Sequence, residues 1–386
     1  MKPIRPTVAH ISLDDIAHNI ASFRGLLPAA TELMAVVKAD AYGHGAVDVA
    51  RGALSAGAHR LAVAIVDEAI ELRRSQIGAP ILVLGHTAPH MADLVTRSGL
   101  SAAVMEPDFA RALSDAGVRN SRRVKVHLKV DTGMNRLGLR PHEVAGFADF
   151  VSSLPALELE GVFTHFASAD APDLSAARCQ LDLFRDACAT LEVRGYRLIR
   201  HAANTAAIIA LPESHLDMVR LGLGMYGLYP ASHLSGRLDL RPALSLRSHI
   251  SVVKWINDGE TVGYRGTFAA QGERRIATVP IGYADGYSRK MSNRGRAIVN
   301  GSLVPVVGMV CMDQLMLDVT DAECAPYDDV VLLGRSGNSA VSAEDLADWM
   351  GTINYEVTSS LGPRVPRIYT RNRREVSGRS MSGRWD

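Results

Sequence analysis

Eight short apolar runs, most of them followed by a helix-period segment, predict an α/β chain: an N-terminal (β/α)8 barrel of the TIM type, then a mostly β C-terminal domain. The count of eight is the first observation. The second is negative: no GxGxxG turn follows the first run, which disfavours a doubly wound dinucleotide-binding sheet. The third is a change of texture near residue 235, where the alternation gives way to short β runs broken by Gly, Asp and Asn.

In chain order, residues 1–30 hold one amphipathic helix that opens at Ser12-Leu13-Asp14-Asp15. The runs expected as barrel strands cover residues 33–37, 61–66, 81–84, 101–105, 124–130, 159–164, 198–201 and 218–221. Helix-period segments fill the gaps at 46–56, 67–75, 91–98, 108–116, 141–151, 176–194 and 205–210. His233-Leu234-Ser235-Gly236-Arg237 reads as a linker. The expected division is a barrel over 1–235, a β-rich domain over 236–370, and a basic tail over 371–386 with few apolar residues, expected to be disordered.

Composition narrows the function. The 386 residues are 47% apolar and 22% charged, a mix that supports a large core. A net charge of +1 gives no field toward nucleic acid or a membrane surface, and 5% aromatics argues against base-stacking platforms. The N-terminus lacks a signal-peptide core, and no run approaches the roughly 20 apolar residues of a membrane span. Cys179, Cys188, Cys311 and Cys324 have no metal-type spacing, so no metal site is expected. The expectation is a cytoplasmic enzyme with a small-molecule substrate.

Chemistry in such a barrel sits at the C-terminal ends of the strands. Polar residues gather there: Lys38, Lys129, Asp131, His165, His201 and Arg220, with Arg136 a few residues beyond. A lysine ending a buried strand is costly unless it snorkels or is used chemically, and a dry amine readily becomes a nucleophile. Asn204-Thr205 opens a helix after the seventh run, and Gly222 follows the eighth, the usual phosphate place on this fold. A lysine across the mouth from a phosphate cradle points to pyridoxal phosphate; a sugar-phosphate enzyme fits the same groups.

The stretch Ala35-Val36-Val37-Lys38-Ala39-Asp40-Ala41-Tyr42-Gly43-His44-Gly45 resembles the cofactor signature of the alanine racemases. The likeness continues in order along nearly the whole chain. It takes in 129–138 (Lys-Val-Asp-Thr-Gly-Met-Asn-Arg-Leu-Gly), Thr164-His165-Phe166-Ala167, His201-Ala202-Ala203-Asn204-Thr205, Val262-Gly263-Tyr264 and 282–287. Met309-Val310-Cys311-Met312-Asp313-Gln314 and Val365-Pro366-Arg367-Ile368-Tyr369 complete it.

The resemblance implies a pyridoxal phosphate enzyme that works as a homodimer, with the active site shared across the interface and alanine as substrate. It implies two bases, because racemisation removes a proton from one face of a carbon and returns one to the other. Lys38 would be the base for the D-substrate, and Tyr264 of the twin chain the base for the L-substrate. A phenol needs a neighbour to act as a base near neutrality, and His165 and Arg220 resemble the relay behind it. Arg220 would also face the pyridine nitrogen; as a donor only, it would leave that nitrogen unprotonated. Tyr42, Asn204, Thr205, Gly222 and Tyr355 would hold the phosphate. Arg136 and the backbone of Met312 would hold the substrate carboxylate, Lys129 would be N-carboxylated, and Tyr283 with Tyr355 would narrow the entrance.

Three positions depart from the family pattern: Thr205 where serine is common, Leu221 where proline is common, and Met309 where an arginine often lines the entrance. The last bears on substrate range, so a racemase of serine, lysine or a broader set is the nearest alternative. A decarboxylase of the same fold type would carry a cysteine base and lack the tyrosine at 264. A one-domain cofactor carrier would lack the β domain.

Overall fold

The computed structural model describes residues 5–385. Two compact units are present. One comprises Ile16–Ala41 and Ala46–Arg241; the other comprises the described residues up to Asp15, Tyr42–Gly45, and those from Pro242 onward. The units divide between Arg241 and Pro242, where 235 is expected, and the first strand within the expected barrel span 1–235 belongs to the β unit. Val8–Ser12 (β1) is a strand of the β unit, paired antiparallel with Leu244–His249 and parallel with Arg367–Arg371. Its alternate residues Ala9 and Ile11 are fully buried and pair with Leu246 and Leu244, so the apolar face finds its core there.

The barrel unit contains eight parallel strands. They are β2 (Glu32–Val36), β3 (Arg60–Val63), β4 (Ile81–Val83), β5 (Ser101–Val104), β6 (Val124–Lys129), β7 (Leu157–Phe163), β8 (Ile199–His201) and β9 (Met218–Leu221). The hydrogen-bonded order runs β8-β7-β6-β5-β4-β3-β2-β9. Between β8 and β9 two backbone bonds stand in for a ladder: Arg220 N–H to the Ala203 carbonyl at 2.9 Å and Asp217 N–H to the Arg200 carbonyl at 3.2 Å. Strands buried on both faces read as continuous apolar runs, which is why Leu33-Met34-Ala35-Val36 and Leu61-Ala62-Val63 were legible. Strand order and the flanking helices place the barrel as the sequence predicts.

The turn after β2 was not legible. Ala39, Asp40, Ala41 and Tyr42 all have φ near +52°, a run of left-handed backbone without a glycine. Each such residue costs about 1–2 kcal/mol. Local bonds hold the first three residues: Ala39 N–H donates to Glu68 Oε1 at 2.6 Å, Ala41 N–H to the Val37 carbonyl at 2.9 Å, and Asp40 Oδ1 accepts from Ala46 N–H at 2.8 Å. Ala39 is exposed, so Ala39→Gly removes only its Cβ strain. After the entropy cost of the glycine, a gain of about 0.5–1 kcal/mol is expected in chemical denaturation. A loss of stability would show that the turn is not strained at this residue.

The β unit holds a nine-stranded sheet, a three-stranded sheet (Val252–Ile256, Arg274–Val279 and Leu315–Asp318) and the two-stranded ribbon Thr261–Val262 with Phe268–Ala269. The tail corrects an expectation. Of the tail expected to be disordered over 371–386, the described residues 371–385 are not a structureless extension: Arg374–Ser380 pairs with Arg367–Arg371, and Gly383–Trp385 pairs with Arg374–Ser380. The sheet edge supplies what the tail's own composition lacks. Gly378 leaves room for the Trp385 indole, which a Cβ would meet at 2.2 Å, and Trp385 Nε1 donates to Glu375 at 3.0 Å. Among the described residues no helix is long and apolar enough to cross a membrane.

Candidate active site

At the C-terminal ends of the barrel strands, Lys38, Lys129, Arg136, His165, Asn204, Thr205, Arg220 and Gly222 belong to one unit. Arg220, the third residue of β9, is 4% exposed and organises the mouth. Its Nη1 donates to His201 Nδ1 at 3.0 Å and to the His201 carbonyl at 2.9 Å. Its Nη2 faces the Thr164 carbonyl at 2.7 Å, the Ala202 carbonyl at 2.9 Å and His165 Nδ1 at 3.3 Å. These bonds use the Nη hydrogens and leave Nε–H as the donor for a bound group. Burial brings the guanidinium down to about 9.

Two amines lie in that positive field. Burial, then Arg220, lowers Lys129 to about 7; its Nζ bonds the Val130 carbonyl and lies 5.2 Å from the Phe163 ring centroid. Burial, then Arg136, lowers Lys38 below the ordinary lysine value, with Arg220 adding to the effect against Glu68. His165 is held well below the usual histidine range by burial, then by Arg220, Lys129, Arg136 and Lys38. An arginine can only donate, so His165 Nδ1 accepts and its hydrogen sits on Nε2.

The loops that present these groups are tied down. Asp131 Oδ1 accepts from the N–H groups of Gly133 and Asn135 at 3.0 Å each, shaping the turn that carries Arg136. Burial pushes Asp131 up, but those bonds outweigh it and hold the carboxyl below its ordinary value. Gln180 grips the loop after β7 from both sides, accepting from Ala167 N–H at 2.8 Å and donating to the His165 carbonyl at 3.3 Å. Neither role of Gln180 has a sequence signal, because it lies on the helix Ser175–Val193, remote in the chain.

The expected phosphate cradle is formed in part by capping. Asn204 Oδ1 accepts from Ala207 N–H at 3.0 Å as the cap of Thr205–Ala210, so this oxygen is already used. The Thr205 hydroxyl lies 3.2 Å from Gly222 N and 3.3 Å from Gly224 N, which brings the two expected phosphate elements together.

The remaining expected residues lie in the β unit. The Tyr42 and Tyr355 ring centroids are 6.2 Å apart, and burial followed by Tyr355 raises the Tyr42 phenol well above its ordinary value. Tyr264 sits on a 3-10 turn at the tip of the two-stranded ribbon, 69% exposed, after Gly263 at φ +70°. Met312 and Tyr283 are also exposed and adjacent: Tyr283 N–H donates to the Cys311 carbonyl and Ala284 N–H to the Met312 carbonyl, both at 3.1 Å. Behind them is a cluster the sequence did not reveal. Arg5 bonds both oxygens of the fully buried Asp285 at 2.6 Å, and Arg364 reaches Asp285 at 3.2 Å and Asp313 at 2.7 Å. This clamp fixes the Tyr283 turn against the Met312 segment. Asp285→Ala strands Arg5, while Arg364 keeps Asp313, and should cost about 3 kcal/mol in urea unfolding; a change under about 1 kcal/mol would show that the clamp is not structural.

Comparison with known proteins now decides the family. A model of the alanine racemase N-terminal domain matches residues 11–230, and one of the alanine racemase C-terminal domain matches residues 243–369. The chain belongs to the alanine racemase family. An alanine racemase of Desulfovibrio desulfuricans is 45% identical over 366 residues, covering 95% of this chain and 98% of that protein. The crystal structure of alanine racemase from Bacillus anthracis with bound L-Ala-P aligns at TM-score 0.94 and 38% identity, covering 98% of this chain and 99% of that one. A histidine racemase of Leuconostoc mesenteroides aligns at TM-score 0.86 and 31% identity, covering 96% and 99%. The alanine racemase family is one of isomerases, so this chain is an enzyme of that class.

Proposed function

We propose that this chain is a cytoplasmic homodimer that uses pyridoxal phosphate to interconvert L-alanine and D-alanine, supplying or recycling D-alanine for cell-wall peptidoglycan. The observation that carries the reading is the barrel mouth, where a lysine depressed by burial and by two arginines stands with the donor-only Arg220 and the Thr205–Gly222 pair. The donor set fits the cofactor: an amine for its aldehyde, a fixed N–H for its ring nitrogen, and hydroxyl and backbone N–H groups for its phosphate. When bound, pyridoxal phosphate makes the α-hydrogen of an amino acid acidic by delocalising the electron pair left behind.

The residues divide the work. Lys38 holds the cofactor and then moves the proton on the D-face. Tyr264 of the twin chain would serve the L-face, with His165, held by Arg220, as the relay behind it. Arg220, a donor only, would offer its Nε–H to the pyridine nitrogen, which would leave that nitrogen unprotonated and moderate the electron sink. Tyr42, Asn204, Thr205, Gly222 and Tyr355 hold the phosphate, Asn204 through its amide N–H because its oxygen is the helix cap. Arg136 and the Met312 backbone take the substrate carboxylate, and Tyr283 and Tyr355 narrow the entrance. Lys129, brought to about 7, offers the neutral amine that N-carboxylation requires.

The exposure of Tyr264, Tyr283 and Met312 on the β unit supports the shared site, since large exposed side chains of this kind are common at interfaces. A broader substrate range is favoured by one observation, Met309 in place of the family arginine, and the histidine racemase on the same fold is in line with it. A panel of L-amino acids followed by chiral chromatography separates the readings. Inversion strongest for alanine is expected. Preference for another side chain would replace alanine as substrate, and carbon dioxide release without inversion would overturn racemisation.

A further inference from the structure

Barrel interiors of this kind are ordinarily filled by layers of aliphatic side chains. Here a polar column runs through the interior. Arg220 can only donate, so His201 Nδ1, 3.0 Å away, accepts. The hydrogen of His201 then sits on Nε2, 2.9 Å from His127 Nδ1. His127 Nδ1 accepts in turn, and its Nε2–H donates to Glu160 Oε2 at 3.0 Å. Glu160 is an acceptor only, and it is held by Arg60 at 3.0 Å and Lys125 at 2.8 Å.

Both ends therefore dictate one direction, and a second proton on either ring would oppose two donors. The two rings are fully buried. Burial lowers His127 against the pull of Glu160, and burial followed by Arg220 lowers His201 further, with Arg60, Lys125 and Lys129 adding positive charge around the pair. Glu160 is held well below the usual carboxylate range by His127, Lys125 and Arg60, which outweigh its burial.

His201 stacks on Phe163, with centroids 4.8 Å apart and planes 9° from parallel, and meets His127 edge-on at 5.1 Å. Gly161 on β7 makes the space: a Cβ there would come within 2.3 Å of His127 Nδ1.

We propose that Glu160 and His127 are positioning residues for Arg220, acting through His201 as a one-directional hydrogen-bond chain that holds the guanidinium as a fixed donor at the barrel mouth. The proposal rests on the reading that Arg220 faces the cofactor nitrogen. It is tested on the purified holoenzyme labelled with 15N-histidine. Both His127 and His201 are expected to show a protonated Nε2 and a bare Nδ1 from about pH 6 to about pH 9. A doubly protonated ring, or hydrogen on Nδ1 of either, would overturn it.

His127→Leu should free the His201 tautomer and lower kcat about tenfold with KM nearly unchanged. His127→Asn keeps an oxygen near the Nδ1 position and should restore most of the loss. Equal losses in the two variants would overturn the proposal. Should the leucine variant fail to fold, Gly161→Ala displaces the same ring without replacing a titratable group, and an unchanged His201 spectrum there would be equally fatal. The tautomer readout needs no turnover, so failure of the racemase reading would show separately, as absent inversion beside the expected spectra.

Discussion

Lys38→Ala loses racemisation in both directions, by at least about a thousandfold, together with the visible band near ~420 nm that a lysine-tethered cofactor gives. The size follows from the two tasks placed on one amine, holding the cofactor and moving the D-face proton. The environment suits both: burial and the charges of Arg136 and Arg220 favour the neutral amine. Assay with each enantiomer by chiral chromatography, beside an absorption spectrum, reads both tasks. A variant retaining more than about a tenth of the activity would remove Lys38 from the chemistry.

Tyr264→Phe separates the two faces. Inversion should fall by about a thousandfold, while D-alanine continues to exchange its α-hydrogen with deuterated solvent through Lys38. L-Alanine should exchange far more slowly. A merely structural phenol would slow both exchanges together, and equal loss in proton NMR would count against the two-base assignment.

Much of this was legible because of how barrels are built. Strands buried on both faces are apolar runs, and the residues that end them stand out when polar, so Lys38, Lys129, His165 and Arg220 could be picked from the chain. What escaped notice has physical reasons. The left-handed turn over Ala39–Tyr42 uses no glycine and, apart from Asp40, residues with no preference for positive φ, held by Glu68 and Asp40. The assignment of β1 to the β unit depends on partners more than two hundred residues away. The terminal strands depend on an existing edge more than on their own composition. Glu160 and His127 lie apart in sequence, and only the barrel brings them into one column with His201 and Arg220. Lys125, His127 and Lys129 do alternate along β6, a period-two polar pattern that could have flagged an unusual interior.

The central claim is that each site takes its amine from one chain and its phenol from the other. Mixing the two inactive variants, Lys38→Ala and Tyr264→Phe, under conditions that exchange subunits tests it most directly. A mixed dimer then carries one site with both bases intact and one with neither. With half of the dimers mixed at equal input, about one quarter of wild-type activity should return. If subunits exchange and no activity returns, the two bases do not come from different chains, and the account is contradicted.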